Sequence, residues 1–198
     1  MIKSKDTFYW GIIGPGRIAH KFAQAMKAVP GAQLLAVSGR DLTRARDFAR
    51  TYGAEYAYDT NESLVQDERL DAVYIATPHV SHFEMARLCL EHGKPVLVEK
   101  PVTVNAQQFL RLVTLARRKR VFLMEALWTR YLPIYQEIRK WLLEGRIGAV
   151  RLLTSTFGFK AKRDLKGRLF NPELAGGTLL DIGVYNIAVT HWVMGSHP

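Results

Sequence analysis

Phe8-Tyr9-Trp10-Gly11-Ile12-Ile13-Gly14-Pro15-Gly16-Arg17-Ile18-Ala19 decides the fold. Its first half, Phe8–Ile13, reads as a buried strand. Its second half opens a helix over Ile18–Val29, with Ile18, Phe22, Ala25, Met26 and Val29 on one side. Between them stands the pattern Gly14-x-Gly16-x-x-Ala19. At a strand-to-helix turn, the first glycine makes the tight bend and the second lets backbone approach a pyrophosphate. Ala19 then lets helix and strand pack closely. The amides that open the helix, at Arg17 and Ile18, face the phosphates. Alone, the pattern also occurs in structural turns; its place between an N-terminal strand and a helix points to a dinucleotide site.

The alternation continues outward. Strands are predicted at Gln33–Val37, Tyr56–Tyr58, Asp71–Ala76, Pro95–Val98 and Val121–Met124. Helices are predicted at Thr43–Tyr52, from a cap near Thr60 or Asn61, at Ser81–Glu91, and over Asn105–Lys119 from an Asn cap. Such β-α-β order implies an α/β fold with a mostly parallel sheet covered on both faces. A first domain over residues 1–125 is expected. In residues 126–198 the pattern changes to a helix at Leu132–Leu143, a strand at Val150–Phe157, a basic loop over Lys160–Ala175 and a helix at Leu179–Val193. A lone strand leaves its edges unpaired, so the second domain reads as cut short.

Composition narrows the function classes. The 198 residues are 48% hydrophobic and 23% charged, which is ordinary for a folded globular chain. No apolar run approaches the roughly 20 residues that span a membrane, and no signal peptide is visible, so cytoplasm is the expected compartment. The single cysteine, Cys89, excludes an intrachain disulfide and reads as a buried structural thiol. The net charge of +10 gathers at Arg117-Arg118-Lys119-Arg120 and across Lys160–Arg168. The first cluster suits the negative end of a helix, and no nucleic-acid motif accompanies either, so solvated basic faces are expected rather than a nucleic-acid partner.

The tip of the second strand bears on the cofactor. NAD sites usually carry a carboxylate there, whereas this chain has Ser38-Gly39-Arg40 with Arg44 one turn on. A hydroxyl and two guanidiniums suit the 2′-phosphate of NADP, which is favoured over NAD. The alternative is a pair of surface arginines partnered by Asp41 and Asp47.

Two further features carry chemistry. Lys100, in Glu99-Lys100-Pro101, follows a strand at the sheet edge where ligands bind, although lysine before proline is also a common turn. A cis peptide bond at Pro101 is plausible in such a turn. In Gly176-Gly177-Thr178-Leu179-Leu180-Asp181-Ile182-Gly183-Val184-Tyr185, Asp181 and Tyr185 fall at i and i+4, on one face of a helix. A tyrosine beside a lysine is a serviceable proton donor, because the cation favours the phenolate. Alone, Tyr185 would read as a core residue. His79 and His82 are three apart, but no third ligand supports a metal.

With these motifs the chain resembles the Gfo/Idh/MocA oxidoreductases, from the glycine turn through Ala76-Thr77-Pro78, His82, Gly93-Lys94, Glu99-Lys100-Pro101 and Gly176–Tyr185. It is most similar to the dihydrodiol dehydrogenase and glucose–fructose oxidoreductase branch, through Phe122–Pro133 and through tyrosine at 185, where many relatives carry histidine. The resemblance implies an N-terminal Rossmann domain and a second domain built on an open antiparallel sheet, which commonly forms a homodimer interface in full-length members. It implies Lys100 and Tyr185 as the catalytic pair, converging beside the nicotinamide, with Asp181 in the same site. Thr77, His82 and Glu99 would frame the cofactor, and Trp128 and Arg130 would line its nicotinamide end. The expected reaction is hydride transfer to or from a sugar-like or cyclic diol substrate. The alternative is a non-catalytic nucleotide-binding or sensor protein on the same fold.

Overall fold

The glycine turn closes the first strand of a sheet in a computed structural model that describes residues 6–195. From β1 (Phe8–Ile13) the chain enters α1 (Arg17–Met26), β2 (Ala32–Ser38), α2 (Leu42–Tyr52), β3 (Tyr56–Tyr58) and α3 (Asn61–Gln66). It continues through β4 (Ala72–Ile75), α4 (His79–Glu91), β5 (Val96–Glu99), α5 (Ala106–Lys119) and β6 (Leu123–Ala126). The six strands make one sheet in the order β3-β2-β1-β4-β5-β6. β1 pairs in parallel with β2 and β4, as do β2 with β3 and β4 with β5. The winding therefore reverses beside β1, and this leaves a crevice at the carboxyl ends of β1 and β4.

Why these segments sit where they do follows from burial. Ile12, Ile13, Val73, Ile75, Val96 and Val98 are at most 1% exposed, because helices cover both faces of a parallel sheet. Each such side chain contributes roughly 1.5–3 kcal/mol by leaving water. Phe83, Ala86 and Leu90 of α4 and Leu112 and Leu115 of α5 join the same core. Cys89 is fully buried there, and burial pushes its thiol up to about 12, which makes it inert. Lys94 is buried as well; its ammonium donates to the carbonyls of Asp67 (2.6 Å) and Leu70 (3.3 Å) and so ties down the entry to β4.

Side chains start three of the helices, at the Thr60 and Asn105 caps that the sequence leads one to expect and at Asp41, which it offers only as a partner for the nearby arginines. Asp41 accepts from the Arg44 amide, Thr60 from Ser63 and Asn105 from Gln108. Asn105→Ala removes one such cap, and a loss of about 1 kcal/mol in unfolding free energy is expected from denaturant titration. In α1 the buried face is Ala19, Ala23 and Met26 rather than the stripe through Ile18 and Val29, both of which are exposed. Close helix–sheet packing selects small residues, and the larger Phe22 turns aside to stack on Tyr74 at 3.9 Å.

The chain divides into two compact units, Met1–Glu125 and Ala126–Pro198. The second holds α6 (Pro133–Leu143) and α7 (Val184–Met194), with 3₁₀ turns at Trp128–Tyr131 and Pro172–Leu174. Two expectations need correction here. Val150–Phe157 forms no strand, and no antiparallel sheet exists among the described residues: a strand needs a ladder partner, and this unit supplies none. The expected helix from Leu179 opens instead as a π turn over Leu179–Gly183, and α-helical geometry begins at Val184.

Candidate cofactor and active site

The carboxyl ends of the strands gather the first group of candidate residues. Gly14 takes a φ of +91°, and its amide donates to the Ser38 carbonyl at 2.9 Å. A Cβ on Gly14 would stand 2.9 Å from Thr77 Cγ2 and 3.1 Å from the Thr77 amide nitrogen. This is the close approach that the first glycine of the fingerprint permits. Gly16 is under no such pressure, with 3.8 Å to the Ala76 carbonyl, so backbone there is open to a ligand. Arg17 and Ile18, both exposed, head α1 beside it. The Thr77 hydroxyl is buried and has no hydrogen-bond partner among the described residues. An orphaned buried hydroxyl against a glycine cradle fits a dinucleotide, which would supply the missing partner.

Ser38 lies differently from expectation. It is fully buried, and its hydroxyl donates to Asn61 Oδ1 at 2.8 Å, because strand alternation turns it under α3. What it offers the site is its carbonyl, which holds Gly14. Arg40 and Arg44 are exposed just beyond β2. The carboxylates expected to pair with them are otherwise engaged: Asp41 caps α2, and Asp47 lies 3.7 Å from Arg50. Among the described residues neither Arg40 nor Arg44 has an ion-pair partner.

His82 is fully buried in the first turn of α4, with Nδ1 2.7 Å from the Pro101 carbonyl and Nε2 2.9 Å from that of Thr77. It thus bridges the ends of β4 and β5. Burial pushes its pKa down; the two carbonyls oppose this and the Lys100 charge adds to it. Glu99 accepts from the Tyr74 phenol on the neighbouring strand, and burial, then the carboxylate, push that phenol far up. Glu99 therefore anchors the strand ends. Lys100 follows it, half-buried, with a cis peptide bond to Pro101. Among the described residues no three His, Cys, Asp or Glu side chains group to hold a metal.

The second unit assembles its own cluster. Tyr185 heads α7, and its phenol oxygen accepts from the Trp128 indole at 2.9 Å. Phe157 meets the Tyr185 ring edge-on at 5.3 Å. Asp181, buried in the π turn, accepts from Arg168 at 2.8 Å. The loop leading into the turn is tightly folded, since a Cβ on Gly176 would stand 2.7 Å from the Asn171 carbonyl oxygen. Arg130 is exposed on the 3₁₀ turn and borders a small hollow with Tyr135 and Trp192. Sequence reasoning placed Arg168 in a solvated loop and missed its pairing with Asp181. The signal available was the glycine pair between them, which lets the loop fold back.

Family models match both parts of the chain. Residues 8–127 match the Gfo/Idh/MocA model described as an oxidoreductase family with an NAD-binding Rossmann fold. The chain belongs to the Gfo/Idh/MocA oxidoreductase family. Residues 135–198 match the family's C-terminal domain. A trans-1,2-dihydrobenzene-1,2-diol dehydrogenase from Xenopus tropicalis is 38% identical over 192 residues, which are 96% of this chain and 58% of that protein. The human enzyme of the same name is 38% identical over 94% of this chain and 56% of its own length. The chain thus spans somewhat over half the length of these curated relatives. Among solved structures, a 3-ketoreductase from Actinomadura kijaniata in complex with NADP and TDP-benzene superposes with a TM-score of 0.84. It is 31% identical over 95% of this chain and 57% of its own. Among the described residues no helix is long and apolar enough to cross a membrane.

Proposed function

We propose that this chain belongs to an NADP-dependent oxidoreductase that moves a hydride between nicotinamide and a sugar-like or cyclic diol or ketone. The observation that carries the reading is the Gly14 cradle pressed against Thr77, whose buried hydroxyl lacks a partner. The names of the similar dehydrogenases and of the NADP-bound ketoreductase support the reaction class. Residues 1–125 would hold the dinucleotide, and residues 126–198 would begin the domain for substrate and for a homo-oligomer contact. Cytoplasm remains the expected compartment.

When bound, the nicotinamide supplies the hydride acceptor or donor. The amides at Gly16, Arg17 and Ile18 would bind the phosphates, and Thr77 would give its hydroxyl to the same ligand. Arg40 and Arg44 would meet the 2′-phosphate, with Ser38 acting only through its carbonyl on Gly14. Lys100 would polarise the substrate oxygen, while Tyr185 would give or take that oxygen's proton. Asp181, held by Arg168, fixes the turn that presents Tyr185. His82 and Glu99 hold the strand ends on either side of Lys100. Arg130 would serve the nicotinamide end of the pocket, and Trp128 would do so through its exposed ring.

The test is fluorescence titration with NADPH and NADH, followed by NADPH oxidation against a panel of sugar ketones and diols. NADPH should bind more tightly, and Arg40→Asp should weaken it by about 10- to 100-fold, the worth of one charge-assisted hydrogen bond, with NADH little changed. Equal affinities in the unaltered protein would remove the NADP assignment.

A further inference from the structure

We propose that Trp128 is a positioning residue for Tyr185: its indole N–H holds the phenol oxygen and stabilises the phenolate, which sets the pH at which Tyr185 exchanges its proton. The inference rests on the reading of Tyr185 as the proton-transfer group. An indole nitrogen only donates, so in the 2.9 Å contact the Tyr185 oxygen must accept, and the phenol's own proton is not used in that bond. A donor aimed at an oxygen binds the charged form more strongly than the neutral one and lowers the pKa. The contact therefore favours the form of Tyr185 that abstracts a proton from an alcohol.

The placement of the indole agrees with this role. Trp128 is 53% exposed, so burial does not account for where its ring sits. The turn beneath it is braced: Leu127 is buried, the Leu132 amide donates to Thr129, and Gln136 Nε2 donates to the Arg130 carbonyl at 2.7 Å. The two rings meet at 73° with centroids 6.3 Å apart, and Phe157 closes on the phenol ring at 81°. The phenol ring thus meets two aromatic rings at steep angles, with the indole N–H directed at its oxygen.

Charged groups on the surrounding elements are Arg130 on the Trp128 turn, Glu137, Arg139 and Lys140 on α6, Arg151 and Lys160 on the segment carrying Phe157, the Asp181–Arg168 pair before Tyr185, and His191 further along α7. All of them stay in place when only the indole N–H is removed, so such a change reads that single donor.

The experiment replaces Trp128 with β-(3-benzothienyl)alanine, which keeps the bicyclic shape and substitutes sulfur for N–H; Trp128→Phe serves as a second variant. The Tyr185 phenol is titrated by ultraviolet difference absorbance against matched proteins carrying Tyr185→Phe. The expected result is a midpoint raised by about one pH unit, with the basic limb of the kcat profile for ketone reduction moving alongside. A benzothienyl variant whose midpoint and kcat profile match the unaltered protein, while Tyr185→Phe is inactive, overturns this proposal and leaves the acid–base reading standing. Full turnover by Tyr185→Phe itself overturns both.

Discussion

Gly14→Val is expected to raise the Kd for NADPH by at least about a hundredfold and to lower the melting temperature of the protein without cofactor. Backbone and neighbours act together here. At a φ of +91° a β-branched side chain is strained wherever it is placed. The new Cβ also meets Thr77 Cγ2 at 2.9 Å and the Ala76 carbonyl carbon at 3.1 Å. That carbonyl belongs to the end of β4, whose Val73, Tyr74 and Ile75 are at most 2% exposed and have no room to retreat. The turn must move instead, and with it the Gly14 amide leaves the Ser38 carbonyl. A hundredfold loss corresponds to about 2.7 kcal/mol, within reach of backbone strain combined with a displaced phosphate cradle. Gly16→Ala is the matched control. Its Cβ would keep 3.8 Å from the Ala76 carbonyl, so the melting temperature should hold while NADPH affinity falls. If Gly16→Ala binds NADPH as tightly as the unaltered protein, no pyrophosphate lies against that backbone.

Much of the first unit was legible because its signals are local. Apolar runs, the Thr60 and Asn105 caps and the glycine turn each specify their own few residues, and all six expected strands form. What could not be read there depends on direction. Ser38 is one residue in a strand of alternating faces, and nothing in Ser38-Gly39-Arg40 says that its hydroxyl turns down toward Asn61. Likewise Ile18 and Val29 share a helical stripe with Met26, yet the sheet accepts the smaller Ala19 and Ala23. The second unit was less legible for a different reason. Val150–Phe157 carries the alternation of a strand, but alternation describes a face, and a strand also needs a neighbouring ladder. The π turn at Leu179–Gly183 has an i+5 bond pattern that no periodicity of apolar residues announces. The candidate proton-transfer residue was found from its type and its neighbour in sequence. Its actual partners, Trp128 and Phe157, are brought to it across long stretches of chain, and the Arg168 that holds Asp181 looked like one more basic residue in a loop.

Tyr185→Phe should lower kcat by about a hundredfold to ten-thousandfold, the range measured for a positioned general acid or base, and leave the Kd for NADPH within about twofold. The ring persists, so the edge contacts from Trp128 and Phe157 survive and folding should be unaffected. The exchangeable proton and the oxygen that accepts the indole N–H are lost together. Lys100→Met tests the other half of the proposed pair. The lysine is half-buried and follows Glu99, so an unbranched apolar side chain of similar length fills its space while removing the charge. On the proposed pairing, its loss should depress kcat by a comparable factor and shift the pH profile upward, since a cation beside a phenol favours the phenolate. If the two groups serve one oxygen, the double variant will be little worse than either single one, because residues acting as a unit are not additive. Losses that multiply would mean that Lys100 and Tyr185 act in separate steps. Unchanged turnover in the tyrosine variant would assign the proton to another group.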